Sequence, residues 1–443
     1  MRASCILTIQ HGVGYTLVKI ILTSSVVTKL LTYDTRYFMT RLSISDLSLK
    51  GKKVLIRVDF NVPLDETGTI TDDSRLEASL PTIKYVLDQG GIPILMSHLG
   101  RPKGVAKEEF SLNPCAKRLA VMLSAPVKMA KDCIGPKVES LVKNLKQGEC
   151  LLLENLRFHI AEEKPQEDPS FAKQLAELGD CYINDAFGTA HRKHSSTYYI
   201  VEHFPGKAAA GFLLEKEINF LGEYLLKPRR PFYAIIGGAK VSTKIGVIKS
   251  LIGKIDSLLV GGAMAYTFLK AKGVSIGDSL HEPELVDKAK GIMDSFEKAG
   301  VQLKLPKDHV IVNDIHEYSS VQVVDNDQGI PKGCFGVDIG PKTIEDYSQE
   351  LKNASTVLWN GPLGVFEIQR FARGTRAIAE ALADVNATKI VGGGDSVAAI
   401  RQGNLVHQFT HLSTGGGASL EYIEFGTLPG IEALETAGKA EII

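Results

Sequence analysis

The sequence predicts an α/β chain made of two doubly wound parallel-sheet domains joined by a helix. Three observations carry that expectation. Short apolar runs alternate with helical stretches from Val54 onward, the alternation breaks once near residue 213, and it resumes after Pro231. Alternation of this kind requires crossover connections, which lay helices on both faces of a parallel sheet. With 443 residues, the chain is long enough for more than one domain.

In the first region, Val54-Leu55-Ile56-Arg57-Val58-Asp59-Phe60-Asn61 reads as a buried strand, 76–87 as a helix and Ile92-Pro93-Ile94-Leu95-Met96-Ser97 as the next strand. Leu151-Leu152-Leu153-Glu154 and Cys181-Tyr182-Ile183-Asn184 continue the pattern. Ligands of such sheets collect beyond the carboxyl ends of the strands. The residues there are Asp59 and Asn61, then Ser97-His98-Leu99-Gly100-Arg101-Pro102, then Asn155-Leu156-Arg157-Phe158-His159, then 185–192 with His191 and Arg192. Arg75, where the helix begins, adds another guanidinium. A single arginine in such a loop is commonly solvated surface charge. Several on one sheet edge suit a small, multiply charged anion, because guanidinium forks match phosphate and carboxylate oxygens.

Leu214, Ile218, Leu221 and Leu225 then fall at helical spacing, and Pro228-Arg229-Arg230-Pro231 closes the segment. This reads as an interdomain helix, the alternative being an ordinary helix of the first domain.

Beyond it, the strand ends are rich in glycine. Ala234-Ile235-Ile236 runs into Gly237-Gly238-Ala239-Lys240, Leu258-Leu259-Val260 into Gly261-Gly262, and Val357-Leu358-Trp359 into Asn360-Gly361-Pro362-Leu363-Gly364. Ile390-Val391 runs into Gly392-Gly393-Gly394-Asp395-Ser396, and His411-Leu412 into Ser413-Thr414-Gly415-Gly416-Gly417. One glycine turn after a strand is ordinary αβ punctuation. Repeated, such turns let the backbone approach a bulky anion, helix N-termini present free N–H groups, and a carboxylate such as Asp395 can hold a magnesium ion shared with phosphates. With Lys240 and Lys244 one helical turn apart, the natural ligand is a nucleotide. G-x-x-x-x-G-K-[ST] occurs nowhere, and neither glycine triplet completes G-x-G-x-x-G, which weakens the P-loop and dinucleotide readings.

Zero net charge offers nothing global to nucleic acid or a membrane surface. Six scattered cysteines without a C-x-x-C pair fit a reducing compartment, so a cytoplasmic location is expected. The His191 and His194 pair has metal-like spacing but no cysteine or acid in register, and is not read as a zinc site. Residues before Met39 are basic and hydroxyl-rich, with Asp34 their only acid. They are too polar to span a bilayer and lack the spaced arginines of a transit peptide. The preferred reading is an upstream extension outside the fold, with organellar import as the alternative.

The segments 57–63 (Arg57-Val58-Asp59-Phe60-Asn61-Val62-Pro63), 97–102, 154–158, 184–194, 237–244, 359–367, 392–396 and 413–420 together resemble phosphoglycerate kinases, in order, from about residue 45 to the C-terminus. The resemblance implies two domains facing across a cleft. Residues 45–212 would bind 3-phosphoglycerate or 1,3-bisphosphoglycerate, 213–229 would link, 230–425 would bind nucleotide, and 426–443 would return to the first domain, leaving 1–44 as the extension. It further implies that Asp59, Phe60, Asn61, Arg75, His98, Leu99, Gly100, Arg101, Arg157 and Arg192 bind the glycerate substrate. Gly238, Ala239, Lys244, Gly336, Asn360, Pro362, Glu367, Gly393, Gly394, Asp395 and Ser396 would bind ADP or ATP, with Asp395 on Mg2+. Ser396 stands where threonine is usual, and Tyr266 and Leu363 are further mild departures.

The implied reaction is reversible transfer of the acyl phosphate of 1,3-bisphosphoglycerate to ADP. It needs no protein nucleophile, so catalysis is expected to be positioning and charge neutralisation, with Arg75, Lys240, Gly394 and Gly417 at the moving phosphoryl group. A monomer without nucleic-acid or membrane partners is expected. The alternatives are another phosphotransferase or NTP-dependent ligase, and a non-catalytic descendant that only binds. The latter would be expected to lack Lys240, Arg75 or Asp395, and all three are present.

Overall fold

The structure, a computed structural model, describes residues 3–11, 14–22, 41–315 and 321–439. Strands β1 (Ala3–His11) and β2 (Gly14–Leu22) pair antiparallel in a two-stranded sheet of their own.

The first large sheet has seven strands: β3 (Leu42–Ser43), β4 (Lys53–Val58), β5 (Ile92–Met96), β6 (Val127–Met129), β7 (Cys150–Leu152), β8 (Cys181–Asp185) and β9 (Ala208–Ala210). Their order is β3-β9-β8-β4-β5-β7-β6, and every pairing is parallel. β4 lies at the centre, which explains its five consecutive buried residues from Val54 to Val58. Its register sets Arg57 opposite Met96 on one side and Asn184 on the other. The loops beginning at Asp59, Ser97 and Ala186 therefore leave the sheet side by side.

The second large sheet holds β10 (Phe232–Ile236), β11 (Ser257–Val260), β12 (Gln302–Lys304), β16 (Thr356–Asn360), β17 (Thr388–Gly392) and β18 (His411–Leu412), in the order β12-β11-β10-β16-β17-β18. It too is parallel throughout. Between β12 and β16 the sequence reading assigns no strand. There β13 (Asp308–Val312), β14 (Gln322–Asp325) and β15 (Phe335–Ile339) form a separate antiparallel sheet.

The helix Phe212–Leu226 links the two regions. Its Leu214, Ile218 and Leu221 belong to one apolar cluster that reaches Tyr182, Ile200 and Ala210 on one side and Phe232, Ala234 and Ile236 on the other. The last helix, Pro429–Lys439, packs against β9 and the turn Tyr199–His203 of the first region. Gly430 N–H donates to the Ala190 carbonyl, and Leu434 is fully buried. Among the described residues, no helix is long and apolar enough to cross a membrane.

Candidate active site

The arginine-rich edge is built around a buried charge network. Arg57 sits on an otherwise apolar strand and is fully buried, so its guanidinium must be paired. Its Nε donates to Ser196 Oγ at 2.8 Å, and Glu162 lies 4.0 Å away while also receiving the Ser196 hydroxyl at 2.6 Å. Arg57 Nη2 is 3.2 Å from His98 Nδ1. Arginine cannot accept, so Nδ1 accepts and the ring proton stands on Nε2. Burial, followed by the nearby arginine charges, pushes His98 well below its usual pKa despite Asp59, so the ring is neutral at pH 7.

Asp59 is buried and ion-paired with Arg75. Burial alone would raise its carboxyl, but Arg75 and Arg57, with the Asn61 N–H, hold it down at about 2. Asn61 Oδ1 accepts the Gly100 N–H at 2.9 Å, and Arg157 Nη1 donates to the Gly100 carbonyl at 2.8 Å. Loops from β4, β5 and β7 are thereby tied together. Arg157 also pairs with Glu163 at 3.1 Å, while its Nε is buried without a hydrogen-bond partner. Burial first, then Arg57 and Arg101 among its neighbours, lowers Arg157 from its ordinary pKa against the opposing pull of Glu163. Asn155 fixes this loop from below, its amide donating to the Leu99 and Phe110 carbonyls and its oxygen accepting the Arg157 N–H. Arg101 and Arg192 are exposed. Arg192 lies close enough to Glu421 to oppose the upward shift that burial gives that carboxyl.

At the glycine-rich edge, Lys244 donates to Asn360 Oδ1, and burial lowers its amine to about 8 against the pull of Asp395. Asn360 Nδ2 is buried without a partner and lies beside Gly392 and Gly393. Gly394 and Asp395 are exposed in the first turn of the helix Gly394–Gln402, and Gly417 opens the helix Gly417–Phe425. A Cβ on Gly238, Gly394 or Gly417 would meet nothing within 4 Å, so these backbones are open to a ligand. Lys240 and Ala239 are exposed on the same turn, with Glu282 in electrostatic range of Lys240. Glu367 is exposed and Pro362 half-buried.

Other expected residues turn inward. Ser396 is fully buried, and its hydroxyl accepts the Gly361 N–H at 2.7 Å, bracing that turn. Gly336, on β15, abuts the Tyr266 hydroxyl, which a Cβ would meet at 1.7 Å. Gly237 and Gly361 are glycines because adjacent turns touch: a Cβ on Gly237 would lie 2.1 Å from the Pro362 carbonyl oxygen, and one on Gly361 2.3 Å from that of Gly237.

The two edges meet. A Cβ on Gly188 would lie 2.6 Å from Asp59 Oδ2, 3.7 Å from Arg75 Nη1 and 3.5 Å from the Thr414 carbonyl oxygen. Phe187 stacks edge-on against Tyr422 with centroids 6.2 Å apart. Glu217, fully buried on the linking helix, accepts from the Thr414 N–H at 2.7 Å and hydroxyl at 3.0 Å, and lies 2.7 Å from His411 Nε2. The loop carrying Gly415 to Gly417 is thus fastened to the linking helix.

A sequence model of the phosphoglycerate kinase family matches residues 44–425. The phosphoglycerate kinase of Dictyoglomus turgidum is 53% identical over 397 residues, covering 89% of this chain and 98% of that protein. The chain belongs to the phosphoglycerate kinase family. It is therefore an enzyme, a phosphotransferase. The phosphoglycerate kinase of Koribacter versatilis is 51% identical over 403 residues, covering 89% of this chain and 99% of its own. Among solved structures, that of the Coxiella burnetii phosphoglycerate kinase aligns with a TM-score of 0.78 at 40% identity, covering 90% of this chain and 99% of that one. The Pyrococcus horikoshii enzyme aligns with a TM-score of 0.79 at 31% identity, covering 90% and 100%. Both carry the α/β architecture of two parallel-sheet domains that the sequence predicts.

Sequence reasoning missed the groups that hold this site in place. Arg57 could have been found, since a charge inside an apolar strand demands a partner. Glu162, Ser196, Glu217 and His411 carry no such local signal.

Proposed function

We propose that this chain transfers the acyl phosphate of 1,3-bisphosphoglycerate to ADP, reversibly, giving ATP and 3-phosphoglycerate by direct in-line displacement. The observation that carries this reading is the meeting of the two edges at Gly188, where the Asp59–Arg75 pair faces the Thr414 carbonyl. An anion held on one side thereby faces a phosphate tail held on the other.

On the glycerate side, His98 Nε2–H, the unpaired Arg157 Nε and the exposed guanidinia of Arg101 and Arg192 supply donors for carboxylate and phosphate oxygens. Asp59 and Asn61 orient Arg75 and the Gly100 turn, and Asp59 is available to a substrate hydroxyl. On the nucleotide side, the open turn at Gly238, with Ala239, Pro362 and Glu367, forms the walls for the nucleoside, Gly336 backs them by packing on Tyr266, and Lys244 and Asn360 Nδ2, the latter beside Gly393, reach the phosphates. Asp395 fits Mg2+: a single exposed carboxylate at a helix start suits a cation that keeps several waters and shares phosphate oxygens. Bound there, magnesium would supply charge neutralisation on the phosphate chain.

Arg75, Lys240 and the N–H groups at Gly394 and Gly417 then stabilise the charge spread over the transferring phosphoryl group. Closing of the two sheet domains about the linking helix would bring the substrates in line and exclude water. We assign 42–212 to the glycerate domain rather than 45–212, because Leu42–Ser43 pairs with β9 and Ile44 is fully buried, so the expectation that all of 1–44 lies outside the fold fails at 42–44; 230–425 is assigned to the nucleotide domain and 426–443 to the returning tail. A cytoplasmic monomer acting without nucleic acid or membrane fits the composition.

The test is MgATP consumption measured with and without 3-phosphoglycerate. Turnover that requires 3-phosphoglycerate supports the reading. Turnover independent of it points to another phosphotransferase or a ligase, and no turnover with intact binding to a binding-only descendant.

A further inference from the structure

Asp132, Cys133 and His159 come together on the first domain, outside the site described above. Asp132 and Cys133 lie in the loop after β6, and His159 follows the 3-10 turn Leu156–Phe158 after β7. One oxygen, one sulfur and one nitrogen from these residues all lie within 4.8 Å of one another. His159 Nε2 is 2.7 Å from Asp132 Oδ1, the same oxygen that accepts the Cys133 N–H at 2.7 Å. The His159 ring is stacked on Phe171 with centroids 5.2 Å apart, which fixes its plane. Cys133 is fully buried behind the pair, while Asp132 and His159 are open to solvent, so a cation has access from one side.

We propose that Asp132, Cys133 and His159 form a zinc site, with a water molecule as fourth ligand. The donor set decides the cation: a thiolate, an imidazole nitrogen and one carboxylate oxygen suit zinc, whereas magnesium and calcium take oxygen ligands. The geometry needs modest change. Tetrahedral bonds of about 2.0–2.3 Å put ligand atoms roughly 3.3–3.8 Å apart, so the His159–Asp132 contact opens while the sulfur closes in. Binding breaks the Cys133 S–H bond and forms S–Zn, releasing that proton to solvent. The His159 proton moves to Nδ1, leaving Nε2 free to ligate and the ring neutral. Because the thiol must lose its proton to ligate, metal affinity rises with pH. His159 stands two residues beyond Arg157, so the ion would pin the Arg157 loop to the loop after β6. That last step alone rests on the proposed function.

The test uses the full chain equilibrated with zinc, and with cobalt as a spectroscopic probe. One zinc per chain, one proton released per ion and a thiolate-to-cobalt charge-transfer band are expected. Asp132→Asn and His159→Gln change solvent-exposed groups and should each weaken zinc at least tenfold, while Cys133→Ala should abolish the charge-transfer band. Circular dichroism and thermal melting without zinc check that the variants are folded. Failure of the wild-type chain to hold one zinc overturns the proposal, as does wild-type affinity in the folded variants or a band that survives Cys133→Ala. None of these readouts depends on kinase turnover, so the zinc site can fail while the kinase reading stands.

Discussion

Gly188→Ala tests the joint between the two halves of the site. The added methyl would sit 2.6 Å from Asp59 Oδ2. Non-bonded contacts become comfortable near 3.5 Å, so the carboxylate must retreat by roughly an ångström. It has little room: Asp59 is 6% exposed, paired to Arg75 and bound to the Asn61 N–H. Overpacking of this kind costs about 1–3 kcal/mol of stability. The displacement also carries Arg75 with it, and a misplacement of about 1 Å at a catalytic group costs on the order of 10²-fold in rate. In a coupled assay we expect kcat/KM for 3-phosphoglycerate to fall roughly 10- to 100-fold. MgATP binding measured by calorimetry should stay near wild type, because Lys244 and Asn360 are untouched. Wild-type kcat/KM, or a loss confined to nucleotide affinity, would refute the argument that Gly188 sets the Asp59–Arg75 position.

Lys240→Ala should lower kcat by roughly 10²–10³-fold with little change in nucleotide KM, as for loss of one preorganised donor; a raised KM with kcat intact would remove Lys240 from the transfer step. Arg157→Ala and Arg192→Ala should weaken 3-phosphoglycerate binding and spare MgATP, and calorimetry showing unchanged 3-phosphoglycerate affinity would take either residue out of the site. Glu217→Ala strands the Thr414 N–H and the His411 ring in a buried setting, at about 2–5 kcal/mol; paired with His411→Ala, the losses should be less than additive, and strict additivity in denaturant unfolding would show that the two do not interact. The Lys244 amine is charged below about 8 and neutral above it, so MgATP affinity should decline as pH rises through 8; Lys244→Arg stays charged and should flatten that decline, whereas parallel profiles would assign it to another group.

The strands were legible where burial on both faces leaves an apolar run. Lys53–Val58 and Phe232–Ile236, central in their sheets, stand in the sequence as apolar runs, the first begun by Lys53 and interrupted by Arg57. Leu42–Ser43, Val127–Met129 and Gln302–Lys304 are two or three residues long and sit at sheet edges, too short to show a period. In the antiparallel sheet, Gln322–Asp325 has only Val323 and Val324 apolar, and Phe335–Ile339 is broken by Gly336 and Asp338, so neither shows a run; the three-residue run Val310-Ile311-Val312 of β13 is present but too short to separate from a helix by period. The site was legible as a class of ligand, because arginines and glycines at strand ends are set by what they must touch. The pairings that hold the site are not local: Arg57 meets Ser196 across 139 residues, and Glu217 meets His411 across 194.

Glycine at a strand end is ambiguous in sequence because two different demands produce it. At Gly237 and Gly361 the demand is internal: neighbouring turns press against each other, and a side chain would strike backbone at 2.1 and 2.3 Å. At Gly394 and Gly417 nothing lies within 4 Å, so the backbone there is open, and the proposed function fills that space with phosphate oxygens. Gly238 joins them by space, and its φ of 112° adds a backbone reason of its own. The register joins the two kinds. β10 pairs with β16, and β16 with β17, so that Ile236, Asn360 and Gly392 lie side by side. Packing Gly237 onto Gly361 brings the β10 and β16 turns together, while Ser396 ties the Gly361 turn to the helix that begins at Gly394. Close packing at the inner glycines therefore positions the open backbone at the outer ones, and under the proposed function a repeated glycine signal marks both the support of a phosphate site and its mouth.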